Sequence, residues 1–307
     1  MTHTLLLYAL PGCESLFDPV LSACGAEPGQ LEMTRFPDGE SYLRFDTDPN
    51  GRHIVLLARL NDPDTKLFSL LLAARTARDL GAESVGLLAP YMPYLRQDAA
   101  FRQGESVSAR HIGATLSDVF SWVVTLDPHL HRLTRLEDVF SIPAATATST
   151  GAIAAWISEN IESPIICGPD AESEQWVRKI AQACGAPHLV FEKTRYNANS
   201  VEVDVGPDIK FEGHTPVIVD DIISTGGTVI SLSRKLVRMG SQQAICCVVH
   251  ALFSSDADRR ILEAGFDRVV STNSISHRTN SIDVSSALAD TVSCTFERYL
   301  ETTDMGR

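Results

Sequence analysis

The chain is poor in basic residues, has no paired cysteine spacing and contains no long apolar run. Its 26 Lys and Arg residues against 39 Asp and Glu residues leave a formal charge of -13, which repels nucleic acid unless a basic patch is concentrated locally. The seven cysteines do not occur in the close pairs typical of zinc sites. No apolar stretch approaches the roughly 20 residues of a membrane-spanning helix. We therefore expect a cytoplasmic protein that binds neither nucleic acid nor membrane.

The distribution of apolar residues predicts an α/β protein. Short apolar runs alternate with helical patterns along all 307 residues, which favours parallel sheets covered by helices. Residues 1–12 are apolar but lack the basic segment of a signal peptide, so they predict a first strand. The predicted strands that follow are His53–Ala58, Val85–Ala89, Trp122–Leu126, Pro164–Cys167, His188–Phe191, Val201–Val205, Pro216–Val219, Ala244–Leu252 and Arg268–Ser271.

We interpret this pattern as two similar doubly wound domains with central parallel sheets, at residues 1–145 and 146–307. The stretch Pro143–Gly151 is rich in Ala, Ser and Thr and is the expected junction. The final predicted helix, Ser285–Leu300, is a candidate for packing on the first domain.

The most informative segment is Val217–Thr228. A short β-branched run predicts a central strand, and Asp220 and Asp221 are expected at its carboxyl end. A predicted helix begins at Val229, so the intervening turn can close backbone N–H groups around a phosphate at the positive helix end. The carboxylates would accept hydrogen bonds from sugar hydroxyls. A turn without ligand is the alternative, but the combination predicts a site for a phosphorylated sugar, whose turn residues are Ser224, Thr225, Gly226, Gly227 and Thr228.

Five other segments have the residue types of a phosphate or nucleotide site. Phe36-Pro37-Asp38-Gly39-Glu40 offers an aromatic face beside two acceptors, and Arg96-Gln97-Asp98 follows a predicted strand with a guanidinium suited to phosphate. His129 and Asp170 also follow predicted strands. Lys193 and Arg195 place two cations two residues apart on an extended segment. Each segment taken alone also occurs as an ordinary polar turn, a structural His or a solvated loop.

The strand, the two acids and the Thr-Gly-Gly-Thr turn resemble the phosphoribosyl diphosphate (PRPP) binding motif of the type I phosphoribosyltransferase fold. The other five segments are similar to those of the ribose-phosphate pyrophosphokinase (PRPP synthetase) family. The stretch Phe101–Ser108 resembles the archaeal branch, because Phe101 stands where an acidic residue is common elsewhere. In length, the stretch after Arg195 is shorter than in the family.

The resemblance implies an enzyme that transfers the β,γ-diphosphoryl group of ATP to ribose 5-phosphate, giving PRPP and AMP with Mg²⁺ as cofactor. It implies catalytic roles for Lys193 and Arg195, metal binding by His129 and Asp170, and sugar phosphate binding by Asp220, Asp221 and residues 224–228. The implied ATP-binding residues are Phe36, Asp38, Glu40, Arg96, Gln97, Asp98 and Phe101.

The resemblance also implies a homo-oligomer of at least two subunits, because the Phe36 loop of the family reaches the ATP site of a neighbouring subunit. Two alternatives remain at this point. One is a phosphoribosyltransferase that consumes PRPP, and the other is a non-catalytic regulator associated with the synthetase. Lys193 and Arg195 favour the synthetase over both.

Overall fold

A computed structural model describes residues 5–130, 132–133, 135–197, 200–204, 211, 213–241 and 243–304, with only the backbone described at 192–197 and 200–204. The chain forms two compact units. Unit 1 comprises Met1–Thr148 and Ser285–Arg307, and unit 2 comprises Ser149–Val284. Within the described ranges, no helix has both the length and the apolar character needed to cross a membrane.

Unit 1 is built on a six-stranded parallel sheet in the order β2-β1-β5-β6-β7-β8, with β3 and β4 forming a separate antiparallel hairpin. Its strands are β1 Leu5–Ala9, β2 Glu27–Pro28, β3 Leu31–Arg35, β4 Ser41–Phe45, β5 His53–Leu57, β6 Ser84–Ala89, β7 Trp122–Leu126 and β8 Ala144–Ala147. Its helices up to residue 148 are α1 Glu14–Cys24, α2 Leu67–Asp79 and α3 Ser108–Ser117.

Unit 2 has a six-stranded parallel sheet in the order β10-β9-β13-β14-β15-β16, and β11 and β12 form an antiparallel hairpin. Its strands are β9 Pro164–Gly168, β10 His188–Val190, β11 Glu192–Asn197, β12 Ser200–Asp204, β13 Thr215–Ile223, β14 Ile245–Ala251, β15 Arg268–Thr272 and β16 Asn280–Ile282. Its helices are α4 Thr150–Asn160, α5 Glu174–Cys184, α6 Gly227–Arg238 and α7 Ala257–Glu263.

The last helix, α8 Ser285–Asp304, packs in unit 1 against α1, β7 and β8. Phe296 of α8 lies edge-on to His53 at 5.1 Å between ring centroids and packs beside Trp122 at 6.4 Å. The chain therefore returns to unit 1 after completing unit 2.

The predicted fold class is confirmed: both units are parallel-sheet α/β layers. The central strands β5, β6 and β7 are buried at every residue, as expected when helices cover both faces of a parallel sheet. The two units divide between Thr148 and Ser149, which lie within the expected junction Pro143–Gly151. This stretch contains the edge strand β8 and the start of α4, because its small residues pair with β7 from Val123↔Ala144 to Leu126↔Ala147.

Candidate functional site

The Phe36 segment forms the turn of the β3–β4 hairpin. Phe36 N donates to the Glu40 carbonyl at 2.8 Å, and Gly39 N donates to the Phe36 carbonyl at 2.9 Å. Asp38 closes the turn because its carboxylate accepts from Glu40 N at 3.1 Å. Phe36 remains 49% exposed, with its ring edge-on to Tyr42 at 6.0 Å. The turn thus presents an aromatic face and two carboxylates to solvent.

Arg35, which the sequence did not identify, anchors this turn. Its Nη1 donates to the Gly39 carbonyl at 3.0 Å, and its Nη2 donates to the Thr65 carbonyl at 2.7 Å. The guanidinium therefore joins the hairpin to the loop that precedes α2. No motif pairs Arg35 with a residue 30 positions away, so sequence reasoning had no signal for this contact.

The segment after β6 places Arg96, Gln97 and Asp98 in three different environments. Arg96 is exposed and Gln97 is partly buried. The Gln97 side-chain oxygen accepts from Ser108 Oγ at 2.7 Å, and its carbonyl accepts from Ala109 N at 3.2 Å. Asp98 is buried at 8% exposure. Only Arg96 of the three is freely presented to solvent.

Asp98 binds Arg132, another residue that the sequence did not identify. The carboxylate accepts from Arg132 N at 2.7 Å and from Arg132 Nη1 at 2.9 Å. Burial alone would raise the pKa of Asp98, but the backbone and side-chain donors of Arg132 and its charge outweigh burial and lower that pKa. The Arg132 guanidinium lies over the Phe101 ring at 4.8 Å from its centroid. These three residues form a connected group at the carboxyl edge of the unit 1 sheet.

His129 follows β7 and is partly buried. In unit 2, Asp170 follows β9 and precedes a short 3₁₀ turn, where its carbonyl accepts from Ser173 Oγ at 2.5 Å. The two predicted metal residues therefore belong to different units, each near the carboxyl end of a central strand.

The structure corrects the expected position of Asp220 and Asp221. Both lie inside β13, which continues to Ile223, rather than after the strand. Pairing with β9 ends at Ile218↔Cys167, whereas pairing with β14 continues to Ile223↔Ala251. Both acids are partly buried. They thus stand on a strand extension that passes the end of β9, beside the turn that leads to α6.

Residues 224–226 join β13 to α6. Gly226 has φ +74, a left-handed conformation that disfavours any side chain, and a Cβ there would lie 3.1 Å from Ile261. Gly227 begins the helix, and its N–H points to Thr225 Oγ1 at 3.5 Å. The first turn of a helix leaves backbone N–H groups without intrahelical acceptors. Together with the hydroxyls of Ser224, Thr225 and Thr228, the turn therefore suits a phosphate.

A second layer that the sequence did not reveal supports this turn. Ser254 N donates to the Ser224 carbonyl at 3.0 Å, and Arg260 Nη2 donates to the Thr225 carbonyl at 2.9 Å. Ser254 lies in the segment after β14, and Arg260 lies in α7. They hold the carbonyls of the turn on the side of α7.

Lys193 and Arg195 lie in β11, opposite Val203 and Val201 of β12. The structure describes their backbone, and their side chains lie outside the described part. The stretch after Arg195 contains the end of β11 and then β12, which overlaps the predicted strand Val201–Val205; residues 198–199 and 205–206 lie outside the described part.

Family models match both halves of the chain. The N-terminal domain of ribose phosphate pyrophosphokinase matches residues 5–119, and the phosphoribosyl transferase domain matches residues 137–286. A ribose-phosphate pyrophosphokinase from Saccharolobus solfataricus is 34% identical over 268 residues, covering 85% of this chain and 90% of the relative. The chain belongs to the ribose-phosphate pyrophosphokinase family. The resemblance stated from the sequence motifs is confirmed.

Other relatives agree with this assignment. A ribose-phosphate pyrophosphokinase from Methanopyrus kandleri is 31% identical over 269 residues, which cover 87% of this chain and 91% of the relative. The crystal structure of phosphoribosylpyrophosphate synthetase from Mycobacterium smegmatis has a TM-score of 0.83 and 26% identity, covering 96% of this chain and 99% of that one. The similarity thus extends over both units.

Proposed function

We propose that this protein is a ribose-phosphate diphosphokinase. The anomeric hydroxyl of ribose 5-phosphate attacks the β-phosphorus of ATP. The bond from that phosphorus to the oxygen shared with the α-phosphate breaks, AMP leaves with this oxygen, and the hydroxyl proton passes to solvent. The observation that carries the proposal is the acid-bearing extension of β13 beside a glycine turn at the start of α6, in a member of this family.

Unit 2 is proposed to hold ribose 5-phosphate. The 5-phosphate binds the N–H groups and hydroxyls of residues 224–228, a turn whose conformation depends on the positive φ of Gly226. Asp220 and Asp221 accept hydrogen bonds from the ribose hydroxyls. A sugar phosphate matches both features, because it combines a dianion with neighbouring hydroxyl donors.

Unit 1 is proposed to hold ATP. Arg96 is the exposed cation after β6 and suits a phosphate of the nucleotide. Gln97 is the second proposed contact. The Phe36 turn offers its ring and the carboxylates of Asp38 and Glu40 to the adenine of an ATP molecule that is bound by a neighbouring subunit. The active protein is on this proposal at least a dimer.

Mg²⁺ is the proposed cofactor, and the donor set of unit 2 fits it. Asp170 follows β9, and Asp220 lies in β13 beyond its last pair with β9, Ile218↔Cys167. Both carboxylates offer the oxygen ligands that Mg²⁺ prefers. Among the described residues, no group of three or more His, Cys, Asp or Glu side chains is placed to hold a metal ion. Mg²⁺ commonly binds one or two carboxylates and completes its shell with water and substrate phosphates. When bound, it neutralises charge on the phosphate oxygens.

His129 is proposed to act on the metal side of unit 1, directly or through water. Lys193 and Arg195 are proposed to stabilise the negative charge that develops on the migrating diphosphoryl group.

The deciding experiment incubates pure protein with Mg²⁺, ATP and ribose 5-phosphate and identifies the products by ³¹P NMR and chromatography. AMP with PRPP supports the proposal, whereas ADP contradicts it. A transferase would consume added PRPP in the presence of a nucleobase, and a non-catalytic regulator would produce nothing. Asp221→Asn is the matched variant, since it keeps the size of the side chain but removes the charge proposed to bind ribose.

A further inference from the structure

The family resemblance implies that Asp98 and Phe101 bind ATP, but it gives no role to Arg132, which contacts both. We propose that Asp98 is a positioning residue, which holds Arg132 so that its guanidinium and the Phe101 ring form one stacking platform for the base of ATP. This inference rests on the proposed function and assigns Arg132 as a residue that determines affinity for the nucleotide.

Asp98 is not placed to bind a nucleotide itself. Its side chain is 1% exposed, and both carboxylate oxygens accept hydrogen bonds from Arg132, at 2.7 and 2.9 Å. A carboxylate buried in this way needs a charged partner to offset its lost hydration. The structure therefore assigns Asp98 an internal partner rather than a ligand.

Arg132 and Phe101 have the opposite character. The Arg132 side chain is 57% exposed, and Phe101 is 67% exposed. The guanidinium lies 4.8 Å from the ring centroid, within the range of cation–π contacts. The pair leaves planar surface open to solvent, where a base could stack on it.

Side chains of the same segment form hydrogen bonds that fix the backbone around Phe101. The Glu105 carboxylate accepts from Phe101 N at 2.8 Å and from Arg102 N at 3.0 Å. Ser108 closes the segment at its other end by donating to the Gln97 side chain at 2.7 Å. The platform is thus organised before ligand binds, which lowers the entropic cost of stacking a base.

The segment also has the right neighbours for a nucleotide. Arg96, the proposed phosphate contact, lies two residues before Asp98, and His129 lies three residues before Arg132. Both segments follow adjacent strands of the parallel sheet, β6 and β7, and ligands bind at the carboxyl ends of such strands. A base stacked on Phe101 and Arg132 would lie beside the proposed triphosphate contacts.

The test compares Asp98→Asn, Arg132→Met and Phe101→Leu with a matched control, Arg135→Met. Arg135 is an exposed arginine of the same loop whose ion pair, with Asp138 at 3.8 Å, does not involve Asp98. We expect each of the three variants to raise the KM for ATP about tenfold, in line with the worth of one base-stacking contact. The KM for ribose 5-phosphate and kcat at saturating ATP should change less than twofold, and the control should match wild type. Arg132→Lys should not restore affinity, because an ammonium has no planar face.

Two inhibitors separate a platform from a purely structural role. Inhibition by AMP, which carries the base, should weaken in the three variants, whereas inhibition by tripolyphosphate, which has no base, should be unchanged. The inference is overturned if the KM for ATP is unchanged, or if the KM for ribose 5-phosphate rises as much as the KM for ATP. Titration calorimetry with ATP keeps the inference testable even if wild-type protein forms no PRPP, so failure of the proposed function is distinguishable from failure of the platform.

Discussion

The two units share one topology but hold their central turns in different ways. In each unit two parallel strands are followed by an antiparallel hairpin, and the chain then enters the third strand of the sheet, β5 in unit 1 and β13 in unit 2. After β13 comes the glycine turn at residues 224–226. After β5 comes a segment without glycine, from Ala58 to Lys66. The same place in the fold is therefore built from different residues.

In unit 1 two cationic side chains of the turn itself, Arg59 and Lys66, form hydrogen bonds that stabilise it. Arg59 is buried at 3% exposure, and its guanidinium donates to the Gly12 carbonyl at 2.7 Å and to Ser15 Oγ at 3.0 Å. Lys66 Nζ donates to the Arg59 carbonyl and to Asn61, each at 2.9 Å. Burial lowers the pKa of both side chains from their usual values. Side-chain hydrogen bonds thus stabilise the turn after β5 in unit 1, whereas the turn after β13 in unit 2 relies on the left-handed conformation of Gly226.

The hairpins show a related difference. The unit 1 hairpin carries exposed Phe36 at its turn, while the unit 2 hairpin carries Lys193 and Arg195 in its first strand. The same topology is therefore proposed to serve base stacking in one unit and charge stabilisation in the other, because each hairpin lies outside the six-stranded sheet.

The largest expected effect separates the two hairpins. Lys193→Ala or Arg195→Ala should lower kcat about 10²- to 10³-fold, since charge that is needed in the transition state contributes little to ground-state binding. Phe36→Ala should instead raise the KM for ATP while kcat and the KM for ribose 5-phosphate stay close to wild type. Steady-state kinetics with each substrate varied checks the contrast. Equal losses in both parameters for both hairpins would remove it.

The next largest effect tests the glycine turn of unit 2. Gly226→Ala should raise the KM for ribose 5-phosphate about tenfold, because Ala disfavours φ +74 by roughly 1–2 kcal/mol and its methyl would press on Ile261 at 3.1 Å. Gly151→Ala is the control, as a Cβ there meets nothing within 4 Å. Calorimetric titration with ribose 5-phosphate gives the affinity directly. A variant that binds normally would show that the turn is not the phosphate site.

A smaller effect concerns the support of that turn. Arg260→Ala should raise the KM for ribose 5-phosphate about fivefold through loss of the hydrogen bond to the Thr225 carbonyl. Arg259→Ala is the matched control, because both arginines pair with Asp256, but the second partner of Arg259 is Glu263 rather than the Thr225 carbonyl. We expect the control to be unchanged in the same assay. A similar loss in both variants would point to general electrostatics instead.

The smallest expected effect is on Tm, and it concerns two buried aspartates, Asp98 in unit 1 and Asp258 in unit 2. Asp258 accepts from Arg278 Nε and Nη2, each at 2.7 Å. Burial would raise the pKa of Asp258, but the Arg278 side-chain hydrogen bonds and the neighbouring donors and charges lower it. Because the folded-state pKa lies below the ordinary 3.8, the ionised group stabilises the fold above about pH 4. That contribution is lost as pH falls through the lowered pKa.

Asp258→Asn should therefore lower Tm by roughly 3 °C at pH 6 and by progressively less below pH 4. Arg278→Met should show the same convergence because it removes the partner, and Asp98→Asn should behave alike in unit 1. Differential scanning calorimetry from pH 6 to pH 3 measures these shifts. A Tm difference that does not depend on pH would contradict the assigned cause.

The sequence alone determined the layered α/β fold and the positions of most strands along the chain. Runs such as Val85–Ala89 contain no polar side chain, so burial on both faces follows from composition. It also determined the glycine turn, since the residues that permit a phosphate cradle are adjacent in the chain. The strands that were not predicted are the edge strands β2, β8 and β16 and the hairpin strands β3, β4 and β11. Strand β8 was missed because small residues at Ala144–Ala147 become a strand only through pairing with β7.

Tertiary structure alone decided what lies behind each motif. The extension of β13 through Asp220 and Asp221 depends on β14 continuing beside it after β9 has ended. Asp98 and Arg132 are 34 residues apart, and Thr225 and Arg260 are 35 residues apart, so no local pattern links either pair. Local periodicity reports which backbone segments are buried, but only the packing of distant segments brings together the side chains that hold a ligand turn in place.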